Sequence, residues 1–150
     1  ADYMKDILKK IGKVLFWKLS IKPGRPMAYG VFKTTPYFGL PGNPVAAMIT
    51  FYQLVQPALK YLMGHDGYKL PILFKARCIA PIIKRPGRME FQRGIFTSKN
   101  GELSVEPTPH QGSGVLSSMS KANCLIVLDI DQKSITVDEY VNIQLMEGLV

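Results

Sequence analysis

The chain is 150 residues long, 47% hydrophobic and 20% charged, a balance that suits a folded protein of one ordinary domain or two small ones and sets intrinsic disorder aside. No run of about 18 apolar residues occurs and the amino end, ADYMKDILKK, lacks an apolar signal core, so neither a membrane span nor a secretory leader is expected and the cytoplasm is the default compartment. The net charge of +8 is uneven: residues 1 to 70 hold 10 Lys and Arg against 3 Asp and Glu, a net +7, while residues 71 to 150 hold 9 against 8, a net +1.

The chain opens on Ala1 and enters a helical pattern almost at once (Met4, Ile7, Leu8, Ile11, ending at Gly12), as expected of a piece cut from a longer polypeptide. A β-rich run, VLFWKLSI at 14 to 21, is closed by KPGRP, and MAYGVF and YFGL follow, so three strands are predicted. In FGLPGNPVAAMITFY, Asn43 suits a helix cap and Pro44 the first helical position, opening a helix that runs to about Met63 and stops at Gly64. Pro57 lacks an N–H to give, which predicts a kink or break around residues 55 to 56. After a Gly, Asp and Pro linker at 64 to 71 the texture turns all-β, with strands expected at 72 to 80, 89 to 97, 102 to 108, 124 to 130 and 139 to 146 and a hairpin at KNG, residues 99 to 101. The fold class is therefore α/β followed by all-β, the second part a small barrel or sandwich.

Cys78 and Cys124 lie in apolar segments and read as small buried thiols; with only His65 and His110 besides, no zinc cluster of Cys and His can be assembled. The positive first half attracts anions, whether nucleic acid, phosphate-bearing cofactors or oxyanions. The LPGNP turn sets exposed N–H groups at the positive end of a helix dipole, which makes either a well-capped helix or an anion site. On a strand Lys18, Ser20 and Lys22 share one face, the two lysines about 13 Å apart at their backbones, close enough for long stems to converge on one ligand or to dress a solvated edge. In the β half, KRPGRMEFQRG carries Lys84, Arg85, Arg88 and Arg93, with Arg93 expected in a structural ion pair or against a phosphate, and HQGSG offers a loop with a hydroxyl. No arrangement of Ser, His and Asp or of Cys and His marks a nucleophile.

Taken together, ADYMKDIL, FWKLSIKPGRPMAYG, FGLPGNPVAAMITFYQLVQPAL, PGRMEFQRG and HQGSGVLSSMSKANCLIVL resemble the carboxyl-terminal portion of the molybdopterin molybdenumtransferases, the bacterial MoeA proteins and the E domain of gephyrin. The resemblance spans essentially the whole chain. It implies the second half of an α/β pterin-binding domain at 1–67 and a terminal β-barrel domain at 71–150. It further implies a cytosolic, homodimeric transferase that uses molybdate, adenylylated molybdopterin and Mg²⁺ to insert molybdenum and release AMP.

On that resemblance Lys18 and Lys22 match lysines that hold molybdate or phosphate oxygens, and Asp2 matches an aspartate that helps hold the metal or molybdate. Pro41, Gly42, Asn43 and Pro44 would shape the mouth of the pterin-nucleotide site. Arg93 and Ser113 match positions through which the barrel closes over the ligand. Arg25 stands where many members carry lysine, keeping the charge and changing its shape. Upstream acidic and phosphate-binding segments of the family are not in this sequence, so the 150-residue chain alone is expected to have no turnover. The rival expectations are a scaffold that binds peptides as gephyrin-like members do, and, less favoured, a nucleic-acid binder.

Overall fold

The computed structural model describes residue 10 and residues 12–65 and 71–146. The helix expected at 3 to 12 falls almost wholly outside these residues; Lys10 is helical. Strands β1 (Lys13–Lys18), β3 (Pro26–Phe32) and β4 (Thr35–Gly39) form an antiparallel sheet in the order β1-β3-β4. The run at 14 to 21 is not one strand. It leaves the first sheet at Lys18, and residues Ile21–Lys22 form a separate short strand, β2, paired in parallel with Met89 and Glu90 at the start of β6 (Met89–Lys99) in the other sheet. Backbone bonds from Leu19 N to Arg25 O and from Met89 N to Ser20 O, both 2.9 Å, hold this crossing.

The predicted helix begins at Pro44 as expected and continues through three segments: α1 (Pro44–Thr50), a π-helical turn (Phe51–Val55) and α2 (Gln56–Leu62). Pro57 therefore changes the hydrogen-bond pattern without breaking the run. Gln56 N–H reaches back five residues to Phe51 O, and the widened turn absorbs the missing donor of the proline. The helix ends at Gly64, φ +79, with His65 N bonded to Lys60 O, the left-handed closure that glycine favours. Among the described residues no helix is long and apolar enough to cross a membrane.

The second half is a barrel of β5 (Phe74–Cys78), β6 (Met89–Lys99), β7 (Glu102–Pro107), β8 (Cys124–Leu128) and β9 (Tyr140–Leu145). It closes because β6 is long enough to serve two neighbours: residues 90–94 pair with β8 and residues 94–99 with β7, while β5 and β9 complete the ring. Asn100 and Gly101, φ +53 and +81, make the tight hairpin turn between β6 and β7. The barrel interior is small and apolar, with Ala76, Cys78, Val105, Cys124, Ile126 and Ile143 all at 0% exposure, so both thiols are buried as predicted.

The halves share a second core. Val45 and Ile49 of α1 pack with Phe91, Leu125 and Val127 on the outer face of the barrel and with Met119 of a short helix, α3 (Ser117–Lys121), that the sequence pattern did not reveal. Gln53 Nε2 donates to Gln144 Oε1 at 2.9 Å across the same junction.

Candidate functional site

Where α1 meets the barrel, a cleft of about 430 Å³ opens. Its walls come from residues 21–26, from 41–43 with Ala46, from 88 and 90–93, and from 111–113. Four segments distant in sequence thus converge, and each is held by its own local chemistry.

The KPG turn carries a cis peptide between Lys22 and Pro23 and a positive φ of 108° at Gly24. Gly24 is buried against α1; a Cβ there would strike Thr50 Oγ1 and come within 3.1 Å of Ile21 Cδ1. Only glycine fits both the backbone angle and the contact. In the PGNP turn, Asn43 occupies the cap position with extended backbone (φ −82, ψ 124) and its carbonyl accepts from Ala47 N at 2.8 Å. Its side chain does not cap the helix. Asn43 Nδ2 instead donates to Ser113 Oγ at 2.9 Å, linking the helix mouth to the barrel loop, and its Oδ1 is buried with no hydrogen-bond partner. Gly42 is different from Gly24: a Cβ there would meet nothing within 4 Å.

On the barrel side, QRG and HQGSG clamp one another. Gln111 Oε1 accepts from Arg93 N at 2.9 Å and Gln111 Nε2 donates to Arg93 O at 2.8 Å, so one side chain takes the place of a neighbouring strand. In return Arg93 Nη2 donates to His110 O and Gly112 O, each at 3.2 Å, and Nε donates to Ser118 Oγ at 3.1 Å. Arg93 is 1% exposed, and burial pulls its guanidinium below the usual arginine range. Among the described residues Arg93 forms no ion pair: its side chain donates to two carbonyls and a hydroxyl, which shapes the loop.

Of the predicted site residues, Lys22, Arg25, Pro41, Gly42, Asn43, Arg93 and Ser113 all line this cleft. Pro44 stands one residue behind it, at the first position of α1. Lys18 does not join them. It ends β1 opposite Pro26, in the other sheet from Lys22, so the shared strand face expected for the two lysines is not formed. Asp2 lies outside the described residues. The structure adds Arg88, Glu90, Gln92 and Gln111, none of which was singled out for the site. The pattern at MEFQRG held a signal for two of them: Glu90 and Gln92 alternate with Phe91 and Arg93, so polar groups fall on both faces of a strand that ought to bury one. Glu90 is 2% exposed and accepts from Lys22 Nζ at 3.2 and 3.1 Å and from Gln92 Nε2 at 3.1 Å. Arg25 and Arg88 are exposed, and neither guanidinium has a partner among the described residues. The lining groups thus set four cations against one carboxylate, a wall that attracts anions.

Two family profiles match the chain: one described as a probable molybdopterin binding domain over residues 1–61, the other as the MoeA C-terminal region, domain IV, over residues 75–146. A molybdopterin molybdenumtransferase of Haemophilus influenzae is 42% identical over 145 residues, covering 96% of this chain and 36% of that protein. The solved MoeA protein of Pyrococcus horikosii superposes with a TM-score of 0.75 at 26% identity, over 99% of this chain and 36% of that one. A molybdenum cofactor biosynthesis protein of Pyrococcus furiosus gives 0.72 at 28% identity, over 96% and 54%. The chain therefore spans little more than a third of the length of the curated relative with which it shares 42% identity.

Proposed function

The chain belongs to the family of MoeA-type molybdopterin molybdenumtransferases, and from that premise we propose that it serves molybdenum cofactor biosynthesis by holding oxyanion groups of molybdate and adenylylated molybdopterin in the cleft between α1 and the barrel. The observation that carries this reading is the convergence of KPG, PGNP, QRG and QGS on one positively charged cavity. Arg25 and Arg88 offer unpartnered guanidinium forks to phosphate or molybdate oxygens, and Lys22 offers an ammonium fixed against the wall. Pro41, Gly42 and Asn43 form the side of the cleft that leaves room for a ligand, and Arg93 and Ser113 position the loop that faces them. Lys18 and Asp2 belong to the proposed site through the resemblance alone. Residues 1–67 are the pterin-binding part and 71–150 the barrel domain in this reading, within a cytoplasmic homodimeric enzyme.

The described residues hold no group of three or more His, Cys, Asp or Glu, and Glu90 of the cleft is taken up by Lys22; a Mg²⁺ that bridges substrate phosphates needs only one or two carboxylates, and Asp2 is the proposed contact.

Calorimetric titration of the chain with sodium molybdate and with adenylylated molybdopterin tests the reading. Saturable binding that weakens at least tenfold in Lys22→Met and Arg25→Ala is the expected result. Binding that is indifferent to both substitutions, or a steeply salt-dependent affinity for arbitrary DNA in place of it, would defeat it. The chain alone is expected to show no turnover, and molybdenum insertion by it would overturn that expectation. A peptide-binding reading is favoured by one feature, an apolar groove of about 500 Å³ between β3 and β4 and the helical run, lined by Met27, Phe38, Leu54, Pro57 and Tyr61 among others; it requires peptide affinity that survives the Lys22 and Arg25 substitutions.

A further inference from the structure

The buried carboxylate of Glu90 runs against the rest of the cleft. A fixed negative charge in the wall of an anion site weakens it, yet Glu90 stands among lining residues that otherwise supply Lys22, Arg25, Arg88 and Arg93. Its placement is built. Glu90 faces Lys22 in the parallel register of β2 and β6, and both its oxygens accept from the ammonium. Gln92 Nε2 ties the carboxylate down from the other side while also donating to Ile83 O at 2.9 Å. The Glu90 side chain is 3% exposed and that of Lys22 48%. The carboxylate is therefore the fixed member, and the ammonium is the one that meets a ligand.

We propose that Glu90 is a specificity-determining countercharge. It pins Lys22 to the wall and screens it, so that a lone small oxyanion binds weakly and Lys22 is reserved for a ligand that engages Arg25 and Arg88 at the same time. The inference rests on the oxyanion reading of the cleft given above. An anion touching Lys22 at about 3 Å sits about 6 Å from the carboxylate; at an effective dielectric near 20, with salt screening, that repulsion lowers affinity on the order of tenfold.

The test is calorimetric titration of the chain with sodium molybdate and, separately, with inorganic phosphate, at low salt and at about 0.5 M salt. Glu90→Gln keeps the shape and a hydrogen bond to Lys22, and is expected to bind both anions at least about fivefold tighter at low salt. The gain should vanish at high salt and in the Lys22→Met background. Glu90→Asp, which keeps the charge, should stay within about twofold of the parent. A folded Glu90→Gln with unchanged or weaker affinity overturns the proposal, as does a gain that persists without Lys22. Should Glu90→Gln fail to fold, Glu90→Ala takes its place: a fivefold gain at low salt that vanishes in the Lys22→Met background supports the proposal, and unchanged or weaker affinity overturns it. If the parent binds neither anion, binding that appears with Glu90→Gln still supports it, and none in either chain sinks both the inference and the reading beneath it. A parent that binds as well with Lys22→Met as without sinks the reading of Lys22 first, whatever Glu90→Gln does.

Discussion

Gly24→Ala is the substitution that most directly asks whether the cleft is shaped by packing or only by its charges. The residue is buried with φ +108, a region that a residue with a Cβ enters at a cost of about 1–3 kcal/mol. The added methyl collides with Thr50 Oγ1. Thr50 is 0% exposed and its hydroxyl donates to Ala46 O at 2.6 Å; a β-branched side chain has few rotamers with which to retreat, so yielding means giving up a buried bond worth about 1 kcal/mol. Alanine returns about 0.5 kcal/mol by stiffening the unfolded chain, and the net loss comes to about 1.5–3.5 kcal/mol. Urea unfolding followed by far-ultraviolet circular dichroism measures it. Thr50→Ala in the same background should couple favourably, by at least about 0.5 kcal/mol. A loss below about 0.5 kcal/mol for Gly24→Ala, or no coupling with Thr50, would refute the reasoning, because neither the angle nor the contact would then matter.

Gly42→Ala is the opposite case: no atom lies within 4 Å of the new Cβ, so the same unfolding experiment should show a change within about 0.5 kcal/mol while a titration with pterin nucleotide loses affinity. Arg93→Met removes the arginine donor from His110 O, Gly112 O and Ser118 Oγ, of which Gly112 O still accepts from Val115 N, and should cost about 2–4 kcal/mol, with faster amide exchange at residues 110–113. Ile49→Ala, at 0% exposure between α1 and the barrel, should cost about 2–5 kcal/mol in a single cooperative transition; two separated transitions would mean that the halves do not share a core. Burial pushes the Cys124 thiol up to about 12 from 9.0. The folded state therefore keeps a proton that the unfolded state releases, and stability present below pH 9 is lost as pH rises toward 12, by about 1–2 kcal/mol at pH 10. Cys124→Ala should flatten that part of the pH profile, and iodoacetamide should leave Cys124 unlabelled at pH 8 until the chain unfolds.

The fold was legible where a residue's local chemistry decides its backbone. Pro44 and Gly64 bracket the helical run, and Asn100 with Gly101 turns the hairpin, because each acts within one turn of itself. Pro57 disturbs the helix at the expected place, where a π-helical turn gives way to α-helix, but does not break it, since the alternative to a lost bond is a longer-reach bond, from Gln56 to Phe51. The run from residue 14 to 21 misled for a different reason. Its residue types suit a strand throughout, but Lys18 and Ile21 belong to different sheets, and nothing in period-two alternation records a change of partner. The lysine pair was lost with it. Seven of the ten proposed site residues line the cleft all the same: KPG, PGNP and QGS are turns or loops, which gather at the rim where sheets and helices meet, and Lys22 and Arg93 reach the cleft from the strands β2 and β6 beside them.

What pattern could not reach is the set of struts that join those turns. Lys22 and Glu90 are 68 residues apart, Asn43 and Ser113 are 70, and Gln53 and Gln144 are 91. Each partner alone looks like an ordinary polar surface residue. The asparagine illustrates the point: at the cap position its side chain was expected to satisfy its own helix, yet it donates across the cleft to Ser113 while the backbone alone starts α1. A helix whose cap side chain is spent elsewhere leaves its first N–H groups without that acceptor, and they stand beside the turn in which Gly42 leaves open space. Local stability has been given up at the place where a ligand would be held, and the loss is offset by the shared core of Val45, Ile49, Phe91 and Leu125 behind it. The charge of the cleft and its packing therefore answer largely to different residues, which is why substitutions at Gly24 and Ile49 should lower stability, and those at Gly42 and Arg25 should change affinity with little effect on the fold.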